Sequence, residues 1–201
     1  MKVGFVSTRL AGTDGVSLET HKWAQVTRQL GHTIYYCAGA LEDDAPHPTL
    51  IPEFHFRDPE AETIQQMVFG AMHSPPELMG RLNAAVARLK AALYRWQRQS
   101  GIDVMVVENA LAIPMHVPLG LALSQFIQET DMPTIAHSHD FFWERQRFRV
   151  NGIPDLLWRN FPPDLPSVKH VVINSLSERD LMTFRGINAC VVPNVFDYET
   201  P

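Results

Sequence analysis

The sequence predicts an α/β fold, a three-layer sandwich in which helices cover both faces of a mostly parallel sheet. Short β-type runs alternate with segments of helical periodicity along the whole chain, which is typical of βαβ units. The chain has 201 residues, of which 45% are hydrophobic, and this suits one globular domain with its own core. Glycine and proline mark the ends of most segments, so the elements can be taken in order.

The first predicted unit is a strand, a loop and a helix. Residues 2–7 form a short apolar run that predicts the first strand. Ser17 is placed to cap a helix that continues to about Leu30, with Trp23, Val26 and Leu30 on its apolar face. A second strand follows at residues 33–38. The order strand, helix, strand begins a parallel sheet.

The next stretch, residues 39–73, is interrupted by several prolines and is harder to interpret. Only residues 49–56 resemble a strand, and residues 61–71 favour a helix. Ser74 then opens a capping-box pattern, with glutamate three residues later, ahead of the longest helix in the chain. Gly101 is placed to end that helix.

The second half of the chain continues the same alternation. Residues 145–159 have mixed character and give no clear prediction. A helix is predicted at residues 119–129, and a shorter one begins at Ser175 and stops at Gly186. The strands are predicted at residues 103–107, 133–136, 169–174 and 189–192.

Composition excludes several kinds of partner. The formal net charge is −5 and no run of Lys or Arg forms a basic stripe, so nucleic acid is not expected to bind. No apolar run approaches the roughly 18–20 residues that a membrane span needs. Docking of a surface helix on a membrane remains open. The two cysteines, Cys37 and Cys190, lack metal or redox neighbours, which favours a cytoplasmic protein.

Polar and glycine residues collect where the predicted strands end. Ligands of open parallel sheets bind at the carboxyl ends of the strands, so these positions are candidates for a site. The loop with Gly12 and Gly15 could bring backbone amides close to an anion, or could be an ordinary turn between strand and helix. The candidates are Gly12, Gly15, Asn109, His137, His139, Asp140 and Asn194.

The histidine cluster allows two interpretations. His137 and His139 lie two residues apart, so they point to one face if the strand continues that far. A zinc or iron site takes three or four ligands, and no further group with ligand spacing follows, so no metal is predicted. Alternatively, one histidine caps a buried strand end, and His139 is the more accessible one. Nearby, Glu144 and Arg145 could hold phosphate or a sugar, or form a surface ion pair.

Taken together and in order, these motifs resemble glycosyltransferase family 4. In that family a helix ends in a Gly-His pair before the second strand, as Gly31 and His32 do here. Residues 137–145 are similar to a strand-end motif of some members. Residues 171–175 and 191–197 resemble the passage into the hinge between the family's two domains. The resemblance spans nearly the whole chain.

The resemblance implies the N-terminal half of a GT-B fold. Residues 1–192 would be a Rossmann-like acceptor-side domain, and residues 193–201 the start of an interdomain hinge, with the C-terminal donor domain absent from this sequence. The implied reaction is hexosyl transfer from a nucleotide-sugar donor to an unknown acceptor, with retention and without a metal or other cofactor. One half of a cleft is expected to be nearly inactive alone, because closure of two domains excludes water.

The resemblance also implies roles for the candidate residues. His139 would be catalytic and face the donor sugar. The residues implied to bind substrate are Gly12, Gly15, Asn109, His137, Asp140, Glu144, Arg145 and Asn194. Two other functions remain open: a stand-alone Rossmann-like module that binds a sugar or phosphorylated ligand without catalysis, and a metal-dependent hydrolase that uses His137 and His139.

Overall fold

A computed structural model describes residues 1–194 and shows one sheet in which every strand pairing is parallel. The strand order is β3-β2-β1-β4-β5-β6-β7. The strands are β1 (Lys2–Ser7), β2 (Thr33–Ala38), β3 (Pro48–Leu50), β4 (Val104–Glu108), β5 (Thr134–Ser138), β6 (Val168–Val172) and β7 (Ala189–Val191). This confirms the predicted α/β class with a parallel sheet.

The helices lie between the strands in sequence. They are α1 (Gly15–Gln29), α2 (Pro59–Val68), α3 (Leu78–Ser100), α4 (Val117–Thr130), α5 (Gln146–Arg149), α6 (Pro154–Asn160) and α7 (Ser175–Arg185). Short 3-10 turns occur at Pro52–Phe54 and Phe142–Glu144. The second of these turns follows β5 and bears directly on the site.

Both faces of the sheet are covered, as alternation along the strands requires. In β4, Met105 and Val107 belong to the large core on the side of α2, α3 and α4. Val106, between them, packs with Phe5 of β1 and Ala24 of α1 on the opposite side. Successive strand residues point to opposite faces, so apolar residues at consecutive positions produce two cores. The result is the Rossmann-like three-layer arrangement.

Helix α1 begins and packs differently from the prediction. Its N-cap is Asp14, whose carboxylate accepts hydrogen bonds from the amides of Val16 and Ser17. Of the predicted apolar face, Trp23 packs against the core that contains Val106, but Val26 is 53% exposed and Leu30 is 70% exposed, so the prediction is wrong for these two residues. The buried face instead carries mostly small side chains, among them Ser17 and Ala24.

The proline-interrupted region also differs from expectation. The strand predicted at residues 49–56 is only Pro48–Leu50, and the 3-10 turn follows it. Helix α2 begins just after Asp58, whose side chain caps it. Ser74 does not cap α3, since its hydroxyl donates to the Gly152 carbonyl at 3.0 Å. That bond ties two distant loops together, a use of the hydroxyl that local sequence does not reveal.

Three further findings bear on the expectations. No helix among residues 1–194 combines the length and hydropathy needed to cross a membrane. Both cysteines are free thiols, Cys37 buried and Cys190 exposed, and burial raises the pKa of Cys37. Of the predicted hinge at residues 193–201, residues 195–201 lie outside the described residues.

Candidate active site

The site lies between β1 and β4, where the order of the strands in the sheet reverses. The chain moves from β1 toward β2 on one side, and from β4 toward β5 on the other. The loops that follow β1 and β4 therefore separate and leave a crevice at the carboxyl edge of the sheet. A cleft of about 240 Å³ occupies this place. Its walls include Thr8, Arg9, Asp14, Phe56, Glu108, Asn109, Ile113, Met115, Arg145 and Arg147.

Glu108 is the last residue of β4, and it is the buried centre of a polar network that includes His137 and His139. Its Oε2 accepts a hydrogen bond from His137 Nδ1 at 2.9 Å, and neither side chain is exposed. Burial would raise the pKa of Glu108, but the hydrogen bond from His137 and the proximity of His139 outweigh it, so its pKa is lowered. An ionised carboxylate therefore lies beneath the strand ends.

The two histidines have different surroundings. Trp23 of α1 stacks on the His137 ring with centroids 4.4 Å apart, which closes that ring off from solvent. The His139 side chain keeps 10% exposure, and its Nε2 lies 3.7 Å from Glu108 Oε2, an ion-pair distance. His139 is thus the more accessible of the two, as the sequence predicted. His137 lies behind it, where it can orient the network but has no exposed surface for a substrate.

Asn109 joins this buried network to the cleft. Its backbone has φ of 59°, in the left-handed region, where asparagine is better tolerated than most residues. Its side chain accepts from the His139 amide at 3.1 Å and donates to Asp140 Oδ1 at 3.1 Å. Asp140 in turn pairs with Arg145. Four of the predicted residues, Asn109, His139, Asp140 and Arg145, therefore form one connected group.

The backbone amides of the loop with Gly12 and Gly15 are bound by carboxylates of the protein itself. The Gly12 amide donates to Glu42 Oε1 at 2.5 Å, and Asp14 takes the first amides of α1. Arg9 pairs with Asp14 at 2.8 Å. Burial would raise the pKa of Asp14, but hydrogen bonds from Ser17 and the charge of Arg9 outweigh it and lower that pKa. Asp14 and Arg9 line the cleft, whereas Gly12 and Gly15 are not among its lining residues.

Two other predicted residues lie apart from this group. Glu144 accepts from the Phe141 amide at 3.1 Å and so closes its own 3-10 turn, and burial raises its pKa. Asn194 is exposed beyond β7, at the edge of the sheet, and does not line the cleft. Their substrate-binding roles stay predictions that these contacts do not support.

Sequence reasoning missed Glu108, Trp23 and Arg147. Glu108 carried one usable signal, because it is an acid directly after four residues of an otherwise apolar strand and directly before Asn109. Trp23 was assigned to the helix surface facing the core, with no indication that it covers a histidine. The pairing of β4 with β5, which sets Glu108 opposite His137, is a tertiary fact.

A metal interpretation gains a third ligand from the fold. One ligand atom each of Glu108, His137 and His139 lies within 4.8 Å of the others. Two histidines and one carboxylate are a set that zinc and iron use. However, the Glu108–His137 contact is a direct hydrogen bond between two fully buried groups. A metal ion there would have to displace the shared proton, and those two ligands leave no exposed coordination position.

The fold and the cleft define an α/β, Rossmann-like domain with a ligand crevice beside the central strands. The chain is similar to mannosylglucosylglycerate synthase of Thermotoga maritima, with 34% identity over 211 residues that include 100% of this chain and 46% of that protein. A synthase of the same name from Petrotoga mobilis is 31% identical to this chain over 203 residues. That alignment covers 98% of this chain and 46% of that protein. The chain spans about half the length of these relatives. No family model matches the sequence.

Proposed function

We propose that this chain is the acceptor-side half of a retaining, GT-B-type glycosyltransferase that uses a nucleotide-sugar donor. The observation that carries the proposal is the cleft beside β1 and β4, which is lined by arginines and by Asn109, whose side chain bonds to Asp140 and to the His139 amide. The relatives support the class, because both are named as synthases of a sugar conjugate and match nearly all of this chain.

The proposed chemistry exchanges one bond at the anomeric carbon. The bond from that carbon to the donor diphosphate breaks, and the acceptor hydroxyl oxygen bonds to the carbon. The hydroxyl proton leaves with the nucleotide diphosphate. Residues of this chain would contribute orientation and charge complementarity rather than a covalent step. His139 would face the donor sugar, while Asn109 and Arg145 fix the substrate at the cleft wall.

The buried network gives His139 a fixed position. Its backbone amide donates to Asn109, its ring Nε2 lies 3.7 Å from Glu108 Oε2, and its ring centroid lies 4.7 Å from that of His137. A preorganised group of this kind stabilises developing charge without reorganising during the reaction. This is why we assign His139 rather than His137 to the reacting centre.

The relatives narrow the candidate substrates. Their name describes a mannosyl unit on a glucosylglycerate, so we propose a hexosyl donor and an acidic glycoside acceptor for this protein as well. The second half of the relatives has no counterpart in this chain, and we propose that it binds the donor. The chain alone is then expected to be nearly inactive, because half a cleft cannot exclude water.

The test uses protein made from the complete gene that encodes this chain. The protein is incubated with a panel of nucleotide-activated hexoses and with glucosylglycerate, glucose or glycerate as acceptor, and products are separated and identified by mass and by NMR of the anomeric proton. We expect one donor to give a new glycoside that keeps the donor's anomeric configuration. A product of inverted configuration would overturn the retaining assignment. If none of the donors gave a product, the transferase proposal itself would be overturned.

The same preparation separates the two rival functions. A stand-alone binding module would bind a sugar or phosphorylated ligand tightly with this half alone and would produce no glycoside. A hydrolase built on Glu108, His137 and His139 would contain stoichiometric metal and lose activity after treatment with a chelator. We expect transfer to persist after dialysis against EDTA.

A further inference from the structure

Three arginine side chains line the cleft between β1 and β4, namely Arg9, Arg145 and Arg147. Arg9 pairs with Asp14 at 2.8 Å, and Arg145 pairs with Asp140. Two of these cations are therefore already matched by a carboxylate of the protein. The third is not.

Arg147 contacts a thioether sulfur and an aromatic ring at the cleft wall. Within residues 1–194 it forms no ion pair. Its Nη2 lies 2.7 Å from Met115 Sδ, and its guanidinium carbon lies 4.6 Å from the centroid of the Phe148 ring. These neighbours position the guanidinium but leave its charge unmatched. Burial, and then the charge of Arg145, lower the pKa of Arg147, and the charge of Asp140, which forms its ion pair with Arg145, offsets part of this.

The other ionisable groups of the cleft do not neutralise Arg147. His116 uses one ring nitrogen on the Glu53 carbonyl at 2.9 Å and the other on the first turn of α4, and burial lowers its pKa. Glu108 directs Oε2 to His137. Among the described residues, Arg147 is therefore an exposed cation at the cleft wall that forms no ion pair.

The chemistry of this position favours a carboxylate. A guanidinium offers a planar fork of N–H donors that fits a carboxylate with two parallel hydrogen bonds. A single unmatched charge balances one carboxylate, whereas a nucleotide diphosphate carries more than one negative charge. Phe56 and Ile113 also line the cleft and give it apolar walls on which a sugar ring can pack.

We infer that Arg147 binds the carboxylate of an acidic acceptor, a hexose joined to a hydroxy acid. The inference rests on the proposed function, in which the acceptor belongs to this half of the protein. It adds the residue that makes the enzyme select charged over neutral acceptors. Arg147 is thus a specificity-determining residue of the acceptor subsite.

The test compares two acceptors that differ in one group. Initial rates are measured with glucosylglycerate and with neutral glucosylglycerol, using the complete protein and saturating donor. For Arg147→Gln we expect the KM for glucosylglycerate to rise about 10- to 100-fold, the usual worth of a charged hydrogen-bonded contact. The KM values for glucosylglycerol and for the donor, and the kcat, should change less than about twofold. Arg147→Lys should recover part of the loss, because it restores charge without the fork.

Arg149→Gln is the matched control. Arg149 lies two residues away on the same short helix, is not among the residues that line the cleft, and donates from Nε to the Trp143 carbonyl at 3.4 Å. It should leave all three KM values unchanged. An unchanged KM for glucosylglycerate in Arg147→Gln would overturn the inference. A rise in the donor KM instead would assign Arg147 to the donor diphosphate and would also overturn it.

A binding measurement separates this inference from the proposed function. If the wild-type protein transfers no sugar, the transferase proposal fails, and calorimetric titration with glucosylglycerate decides the role of Arg147. Binding that weakens at least about tenfold in Arg147→Gln supports the anionic subsite. Equal binding by both proteins, or no binding by the wild type, contradicts it.

Discussion

The Glu108 carboxylate and the His137 imidazole form a hydrogen bond of 2.9 Å, although neither side chain is exposed to solvent. They come from neighbouring strands, β4 and β5, whose register places the two residues side by side. Within residues 1–194, Oε1 of Glu108 and Nε2 of His137 have no hydrogen-bond partner, so His137 depends on this bond, whereas Glu108 also has His139 Nε2 at 3.7 Å. The pair supports the ends of β4 and β5, where Asn109 lines the cleft and binds the His139 amide.

Removing the carboxylate should destabilise the protein strongly. Glu108→Ala leaves the buried imidazole without its acceptor and opens a cavity, so we expect the free energy of unfolding to fall by about 3–5 kcal/mol. Glu62 on α2 is an exposed acid and serves as the control. Glu62→Ala should change the free energy of unfolding by less than about 0.5 kcal/mol. Urea denaturation at pH 7 measures both. A loss for Glu108→Ala no larger than for the control would contradict this account.

The same pair predicts sensitivity to acid. The pKa of Glu108 is lower in the folded state than in the unfolded chain, where it is about 4.3. The ionised carboxylate therefore stabilises the fold above that pH, and this stabilisation is lost as the pH falls further toward the folded-state pKa. Glu108→Gln cannot ionise, so its loss of stability below pH ~4.3 should be shallower than that of the wild type in the same denaturation series.

His139 should matter for turnover and little for folding. In the complete protein we expect His139→Ala to lower kcat by about 100-fold or more, because a preorganised group at the reacting centre is lost. His73 is exposed in a loop and does not line the cleft, so His73→Ala serves as the control. Far-ultraviolet circular dichroism checks that both variants are folded. Unchanged turnover in His139→Ala would remove this residue from the mechanism.

His170 predicts a second pH dependence, in a different range. The residue lies on β6, and burial lowers its pKa to about 4. Because the unfolded value is about 6.5, stability is full above that pH and decreases as the pH falls toward 4, by about 3 kcal/mol in total. His170→Gln can still donate to the Pro163 carbonyl but cannot titrate. Its unfolding free energy should therefore change less than that of the wild type between pH 6.5 and 4.

Two helical glycines should respond oppositely to alanine. A Cβ on Gly120 of α4 would lie 2.2 Å from a ring carbon of Phe161 and 3.0 Å from the Ala110 carbonyl oxygen. Gly120→Ala is expected to destabilise the protein by about 1–3 kcal/mol through overpacking. Gly80 of α3 has no atom within 4 Å of such a Cβ, so Gly80→Ala should stabilise by about 0.5–1 kcal/mol. Equal shifts in urea midpoint would contradict the packing argument.

Local pattern was sufficient for the elements but not for every boundary. The periodicities of β1 and α3 predicted a strand and a long helix where the structure has them, because each signal extends over many neighbouring residues. The sequence pattern predicted Ser17 as the cap of α1, whereas Asp14 caps it; both are good capping residues, and only the loop conformation distinguishes them. The buried side of α1 was also misjudged, because the sheet contacts small side chains rather than Val26.

The sequence by itself determined the parallel α/β class and the edge of the sheet at which polar residues collect, since carboxyl ends of parallel strands share one edge. It therefore placed Asn109, His139 and Asp140 near one another. The tertiary structure decided that His137 is hydrogen-bonded to Glu108, which lies 29 residues away in sequence. It also decided that Arg147 lines the cleft and forms no ion pair with any of the described residues. The physical reason is that strand order and burial arise from packing between residues distant in sequence, whereas a sequence pattern reflects only the periodicity and turn preferences of residues close together in the chain.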